Sequence, residues 1–309
     1  MNGSEKKRIL VMMSTYNGEK YLQEQIDSIL NQNTEHEVRL RIRDDGSQDG
    51  TCEIIEDYIS RYPFQIELIR GENQGYNASF FSLIHNAEGY DYYSISDQDD
   101  VWLEDKLQTA CNAIDENNHN TPVLYASTSY LVHDDLKPYG ATRKKERELS
   151  MYNTIIQNIC PGHTQVLNNA LVDLLKGEID ASRIYVYDSW IQNVANLYGT
   201  IAFDNKPHTY YRQYEGNQLG SGAGMIGQLL SSGRRANKDD GRKYRRQIEY
   251  FLEIYEEKLK KEGYYSEIND FVAARMFAKK CKYLMKSKLY RQNRFETIAF
   301  RLAVLMNKY

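Results

Sequence analysis

Ile9 to Met13 is an unbroken apolar run that stops abruptly at Ser14-Thr15-Tyr16-Asn17-Gly18. A strand with no polar side must be covered on both faces, which calls for a parallel sheet with helices above and below it. The next residues continue that pattern. Tyr21, Leu22, Ile26, Ile29 and Leu30 recur at helical spacing, with Asn17 placed to cap the helix. Val38, Leu40 and Ile42 alternate with Arg39, Arg41 and Arg43 as a second strand, and Ile54, Ile55, Tyr58 and Ile59 mark a helix that Pro63 ends. Ile66 to Ile69 reads as a third strand, Phe80, Phe81 and Ile84 as a helix, and Tyr90 to Ile95 as a fourth strand. Strands alternating with helices at this interval predict an α/β fold with a mainly parallel, Rossmann-like sheet.

The fourth strand delivers Ser96-Asp97-Gln98-Asp99-Asp100, three carboxylates within four residues. Such acids repel one another, and a hard divalent cation bound through oxygen is the arrangement that relieves them, so Mg2+ or Mn2+ with a diphosphate is the expected ligand pair. An isolated Asp-x-Asp is most often an exposed turn. Here Thr15-Tyr16-Asn17, Asp44-Asp45 and Asn73 to Gly75 also follow strands or lie between strand and helix, and a right-handed parallel sheet gathers all of these at one crevice.

In this order, Thr15-Tyr16-Asn17-Gly18, Asp44-Asp45-Gly46-Ser47-Gln48-Asp49-Gly50-Thr51, Asn73-Gln74-Gly75 and Asp97-Gln98-Asp99-Asp100-Val101-Trp102 resemble the inverting glycosyltransferases of family 2 with the GT-A fold, over about residues 8–220. The Asp-Gln-Asp-Asp form with Trp102 is similar to the bacterial rhamnosyltransferase branch. The resemblance implies that Asp45, with Asp44, contacts the base of a sugar nucleotide, that Asp97 and Asp99 bind the metal and its diphosphate, and that Asp100 meets the sugar. Thr15, Tyr16, Asn17, Asn73, Gly75 and Gln98 complete the expected nucleotide-sugar contacts. It also implies a dTDP- or UDP-sugar donor, foremost dTDP-L-rhamnose, and a surface glycan or lipid-linked glycan acceptor. The alternatives are a UDP-hexose or UDP-N-acetylhexosamine transferase, and a nucleotide-sugar-binding or scaffold subunit without turnover.

Further on, Trp102 to Asn117 reads as a helix, Val123 to Val132 as one strand, and Lys137 to Ser150 as a mobile, charged acceptor loop. Cys160-Pro161-Gly162-His163-Thr164 precedes a helical run with Val166, Leu167, Leu171, Leu174 and Leu175, and a lone His such as His163 is more often a packing residue than a catalyst. Asp188, in Tyr187-Asp188-Ser189-Trp190, has the position of a helix N-cap, whereas the branch resemblance makes it the general base. Tyr187 and Ser189 stand where His and Trp are usual in that branch. The segment Arg212-Gln213-Tyr214-Glu215-Gly216-Asn217 resembles the part that closes over the diphosphate, with Arg212 to grip phosphate and Tyr214 in the place of a His.

Charge divides the chain. Residues 225–309 carry 20 Lys and Arg against 10 Asp and Glu, while residues 1–224 carry 19 against 33. This marks a GT-A catalytic domain over 1–224 and a basic helical extension over 225–309, with Ile248, Phe251, Leu252, Tyr255 and Leu259 as one of its apolar stripes. Its expected partners are the catalytic body, a second subunit as a homodimer, or an anionic membrane by peripheral contact. No nucleic-acid module accompanies the charge. Four dispersed cysteines and the lack of a signal-like or membrane-spanning run fit a cytoplasmic protein, with the inner face of the cell membrane as the other expected place.

Overall fold

The computed structural model describes residues 6–117, 121–214 and 238–309. Its first strand, β1 (Arg8–Thr15), is an interior strand of a seven-stranded sheet. The run Ile9 to Met13 divides by alternate residues, with Ile9, Val11 and Met13 in one hydrophobic core and Leu10 and Met12 in the other. That split is the reason the run has no polar side.

In chain order, α1 (Leu22–Leu30), β2 (Glu37–Asp44), α2 (Thr51–Arg61), β3 (Ile66–Arg70), α3 (Tyr76–His85) and β4 (Tyr92–Ser96) follow β1. Next come β5 (Val101–Trp102), α4 (Lys106–Asp115), β6 (Val123–Ser127), β7 (Tyr130–Val132), β8 (Pro138–Ala141) and the one-turn α5 (Met151–Thr154). Then β9 (Val166–Asn168), α6 (Asn169–Leu175), α7 (Tyr187–Tyr198), β10 (Thr200–Asp204) and β11 (Thr209–Arg212) complete both sheets. The large sheet has the order β10-β6-β9-β4-β1-β2-β3, and β9 alone runs antiparallel to its neighbours. Both β2 and β4 pair in parallel with β1, and the register sets Thr15 beside Asp44 and Met13 beside Ser96. Strand order reverses at β1, because the chain goes outward to β2 and β3 and returns on the other side with β4. The crevice beyond the carboxyl ends of β1 and β4 is therefore the topological switch point, where such sheets bind ligands.

A smaller sheet, β5-β11-β7-β8, stands beside this edge. It corrects two expectations. Trp102 belongs to a strand that pairs with β11, so the helix starts only at Lys106. Val123 to Val132 is two strands in two sheets, broken where the Thr128 amide donates to the Asp204 carbonyl (3.0 Å) and the Ser129 amide to Thr142 Oγ1 (2.8 Å). Likewise Val166 and Leu167 are strand, because the sheet needs an antiparallel filler between β4 and β6.

From Lys238 the chain forms α8 (Lys238–Ile254), α9 (Glu256–Lys261), α10 (Tyr265–Ala273), α11 (Phe277–Leu284) and α12 (Arg294–Leu305). The expected boundary at residues 224/225 lies outside the described residues. Ile248, Phe251, Leu259, Phe271, Phe300 and Val304 share one continuous core with Phe80 of α3 and Trp190 of α7, so these helices complete the body and have no separate core. They also hold the segment 137–150 that reads as a mobile loop, through the Arg143 to Glu296 ion pair (2.7 Å) and the Gln292 side chain, which accepts from the amides of Glu146 (2.9 Å) and Arg147 (2.8 Å).

Candidate active site

Two loops from β1 and β2 form one wall of the crevice. Asn17 has φ 48° and does not cap α1, whose N-cap is Tyr21; instead its Oδ1 accepts from the Gln48 amide (2.8 Å) and ties the two loops together. Buried Asp44 accepts from the amides of Gly46 (3.1 Å) and Ser47 (2.9 Å), from the Ser47 hydroxyl and from Thr15 Oγ1 (3.1 Å). Burial pushes its pKa up, but the bonds from Ser47, Thr15 and Cys52 outweigh it and hold the carboxyl below its ordinary value. Buried Asp45 pairs with Arg43 and accepts from the amides of Gln74 (3.0 Å) and Gly75 (2.9 Å). Gly75 has φ +83° where α3 begins, a conformation that any side chain would strain. Thus Asp44 and Asp45 tie together the loops that form this wall of the crevice. Asn73 and Tyr16 are exposed, and the Gln98 side chain bridges the Tyr16 amide (2.8 Å) and carbonyl (3.1 Å).

The β4 loop is different. Asp97 sits at the bottom of the crevice with 36% of its side chain open, and burial and the charges of Asp99 and Asp188 push its pKa up to about 7. Asp100 is fully buried. Its Oδ1 accepts from the Arg212 amide (3.3 Å), while its Oδ2 has no hydrogen-bond partner, and burial followed by Asp99 and Asp97 raises its pKa. His163 Nδ1 lies 4.0 Å from both Asp97 Oδ2 and Asp100 Oδ2. Its Nε2 is 2.8 Å from Ser129 Oγ, and its ring stacks on Tyr211 at 4.3 Å. Burial and Lys106 lower the imidazole pKa to about 3, so the ring is neutral and Nδ1 is available as a ligand when Nε2 donates to Ser129.

Asp97, Asp100 and His163 thus offer three ligand atoms within 4.8 Å of one another. Ligand atoms about 2.1 Å from one cation lie about 3 Å apart in octahedral geometry, so the three side chains must each move inward by roughly an ångström to close on a divalent cation. The orphaned Asp100 Oδ2 is the observation that makes the donor set fit. Asp99, expected as a ligand, lies outside this group and accepts from the Tyr214 hydroxyl (2.7 Å). Arg212, expected on phosphate, is buried and donates to Glu24, to the Asp134 carbonyl (2.7 Å) and to the Asp99 carbonyl (3.0 Å), so it braces the acidic loop from beneath. Gln25 adds a second brace, with its amide on Ser96 Oγ (2.7 Å), the Asp100 carbonyl (2.6 Å) and the Trp102 indole (3.1 Å). Beneath the cluster, buried Lys106 donates to the His163 carbonyl (2.8 Å) and lies 3.2 Å from the centre of the Trp102 ring.

Asp188 lies in the first turn of α7, whose N-cap is Val186, so it is not a cap. Its oxygens accept from the amides of Gly162 (2.9 Å) and Ser189 (2.7 Å), and burial raises its pKa against those bonds and one from Asn158. A Cβ on Gly162 would come 2.1 Å from the Tyr187 hydroxyl, so the 161–164 turn passes over the helix start only as glycine. That close passage brings His163 and Asp188 to the same crevice. Sequence reasoning set His163 aside and passed over Lys106, although Lys106 occupies the buried stripe of α4 with Leu107, Ala110, Cys111 and Ile114, which is a legible sign of a lysine held by partners inside the fold.

A mainly parallel sheet with polar loops at its switch point, an acidic cluster and a nearby buried carboxylate is the setting in which open α/β sheets bind their ligands. Residues 10–172 match Glycosyl transferase family 2, and the chain belongs to that family as a glycosyltransferase. It is 30% identical over 240 residues to the dTDP-rhamnosyl transferase RfbG of Shigella flexneri, covering 73% of this chain and 80% of that one. S. aureus TarS 1–349 in complex with UDP-GlcNAc has a TM-score of 0.60 at 19% identity, covering 97% of this chain and 79% of that one. The mannosyltransferase PcManGT from Pyrobaculum calidifontis, in complex with GDP-Man and Mn2+, has a TM-score of 0.56 at 14% identity, covering 99% and 86%. These two likenesses establish the GT-A fold.

Proposed function

We propose that this glycosyltransferase moves L-rhamnose from dTDP-L-rhamnose, with inversion, onto a growing surface-polysaccharide or lipid-linked oligosaccharide. Asp188 takes the proton of the acceptor hydroxyl as its oxygen attacks the anomeric carbon, from the face opposite the nucleotide. Its burial among Tyr76, Tyr187 and Tyr244 raises its basicity for that step. Asp97, Asp100 and His163 would hold Mg2+ or Mn2+, which would supply positive charge to offset that of the departing diphosphate. Arg212 and Gln25 keep the acidic loop in place, and Lys106 fixes the backbone of His163. The observation that carries this reading is the meeting of an unpartnered carboxylate oxygen on Asp100 with the raised carboxylate of Asp97 at the switch point. The likeness to RfbG supports rhamnose as the sugar. The test is release of nucleoside diphosphate from dTDP-rhamnose, UDP-glucose, UDP-galactose and UDP-N-acetylglucosamine, each with and without Mn2+. Metal-dependent turnover of dTDP-rhamnose is expected; turnover of a UDP-sugar alone would replace the donor, and no turnover with any of them would leave a binding subunit.

A further inference from the structure

We propose that the outward face of α12 docks on an anionic lipid bilayer. This helix has two apolar faces. Phe300 and Val304 point inward and are buried in the shared core, and Lys280 of α11 donates to the Val304 carbonyl (2.7 Å), which fixes the end of α12 against α11. On the opposite side Phe295, Ile298, Leu302 and Met306 follow at i, i+3, i+7 and i+11, which is one stripe of a helix, and they are between 52% and 73% exposed. Met276, Phe277 and Met285, in or beside α11, are also exposed. A helix that only packed on the body would carry polar residues along that stripe.

Charge selects the occupant. Residues 271–309 contain ten Lys and Arg and one acid, Glu296. Glu296 is already bound by Arg143 (2.7 Å) and by Gln157 (2.7 Å). Arg294 and Arg301 lie one turn-pair apart on the flank of the stripe, and Lys282, Lys286 and Lys288 are exposed around α11. A second copy of the same face would bring the same positive charges against these. An anionic headgroup layer meets them favourably while the stripe enters the acyl boundary, as in helices that lie in a membrane interface. Among the described residues no helix is long and apolar enough to cross a membrane, so the contact is peripheral. The inference concerns the exposed side of α12, which carries none of the candidate metal or base residues, and stands whatever the donor is.

Sedimentation of the full chain with phosphatidylcholine vesicles, and with equimolar phosphatidylcholine and phosphatidylglycerol vesicles, tests it. The protein is expected to pellet with the anionic vesicles, to stay in solution with the neutral ones, and to lose binding as salt rises. Ile298→Glu with Leu302→Glu is expected to weaken binding about tenfold or more with an unchanged thermal midpoint. Lys286→Gln with Arg294→Gln, both at exposed sites, removes charge without touching the stripe and is expected to weaken anionic binding, so the test survives if the first variant misfolds. Absence of vesicle binding by the unaltered protein would overturn the proposal. So would a dimer that the stripe variant converts to a monomer.

Discussion

Two pairs of carboxylates stand at the ends of two strands of one sheet, buried Asp44 and Asp45 at β2 and half-open Asp97 with buried Asp100 after β4, and the fold treats them in opposite ways. The first pair is saturated: Arg43, Ser47, Thr15 and the amides of residues 46, 47, 74 and 75 satisfy both carboxylates. The second pair is starved, with one oxygen of Asp100 unpartnered and both pKa values raised. Saturated carboxylates stabilise a loop whether or not a ligand is present. Starved ones destabilise the free protein and gain from a cation, so the cost of the arrangement locates the function.

The contrast can be broken most sharply by exchanging the treatment of each pair. Asp45→Ala leaves Arg43 buried and unpaired and should cost about 3–5 kcal/mol in chemical denaturation, with or without donor. A cost near zero would end the claim that Asp45 is structural. Asp188→Asn keeps shape and should lower transfer by about 10²–10⁴-fold while nucleotide binding, read by calorimetry, stays close to that of the unaltered protein. Asp100→Asn should act oppositely to Asp45→Ala: the metal-free midpoint temperature rises because a buried charge is gone, and the further rise on adding Mn2+ disappears. Tyr214→Phe removes only the bond to Asp99 and should change stability by no more than about 1 kcal/mol, leaving Mn2+ affinity nearly as it was. A large loss of Mn2+ binding there would return Asp99 to the ligand set.

The pH dependence follows from the same starvation. A carboxyl whose folded pKa is raised, as Asp97 is to about 7, binds its proton more tightly folded than unfolded. The metal-free protein therefore loses stability as pH rises from the ordinary carboxylate range to about 7, the reverse of a salt-bridged acid. Cation uptake below that pH must expel the proton, so apparent Mn2+ affinity should climb as pH rises toward about 7.

The sheet and its flanking helices were legible because Ile9 to Met13 and the segments after it carry period and polarity together, and the crevice was legible because four polar stretches fall at one edge. The roles within the crevice were less so. Asp44, Asp45 and Arg212 have the residue types of ligand contacts, but whether a carboxylate or guanidinium faces the ligand or the protein depends on partners such as Glu24 and Gln74, distant in the chain from what they hold. His163 was set aside because its companions, Ser129, Tyr211 and Asp100, come from separate elements and leave no local spacing. The charge asymmetry and the apolar stripes of the basic helices were legible, and packing on the catalytic body was one expected partner; which residues of α3 and α7 they meet was not, because a stripe does not name its partner.

The most direct test is a titration with Mn2+ followed by electron paramagnetic resonance, on the unaltered protein and on Asp100→Asn and His163→Ala, at a pH above 7. The account predicts one bound Mn2+ in the unaltered protein and weakened or absent binding in both variants, with folding intact by circular dichroism. Unchanged Mn2+ binding in both folded variants would contradict it and give the cation to Asp97 and Asp99.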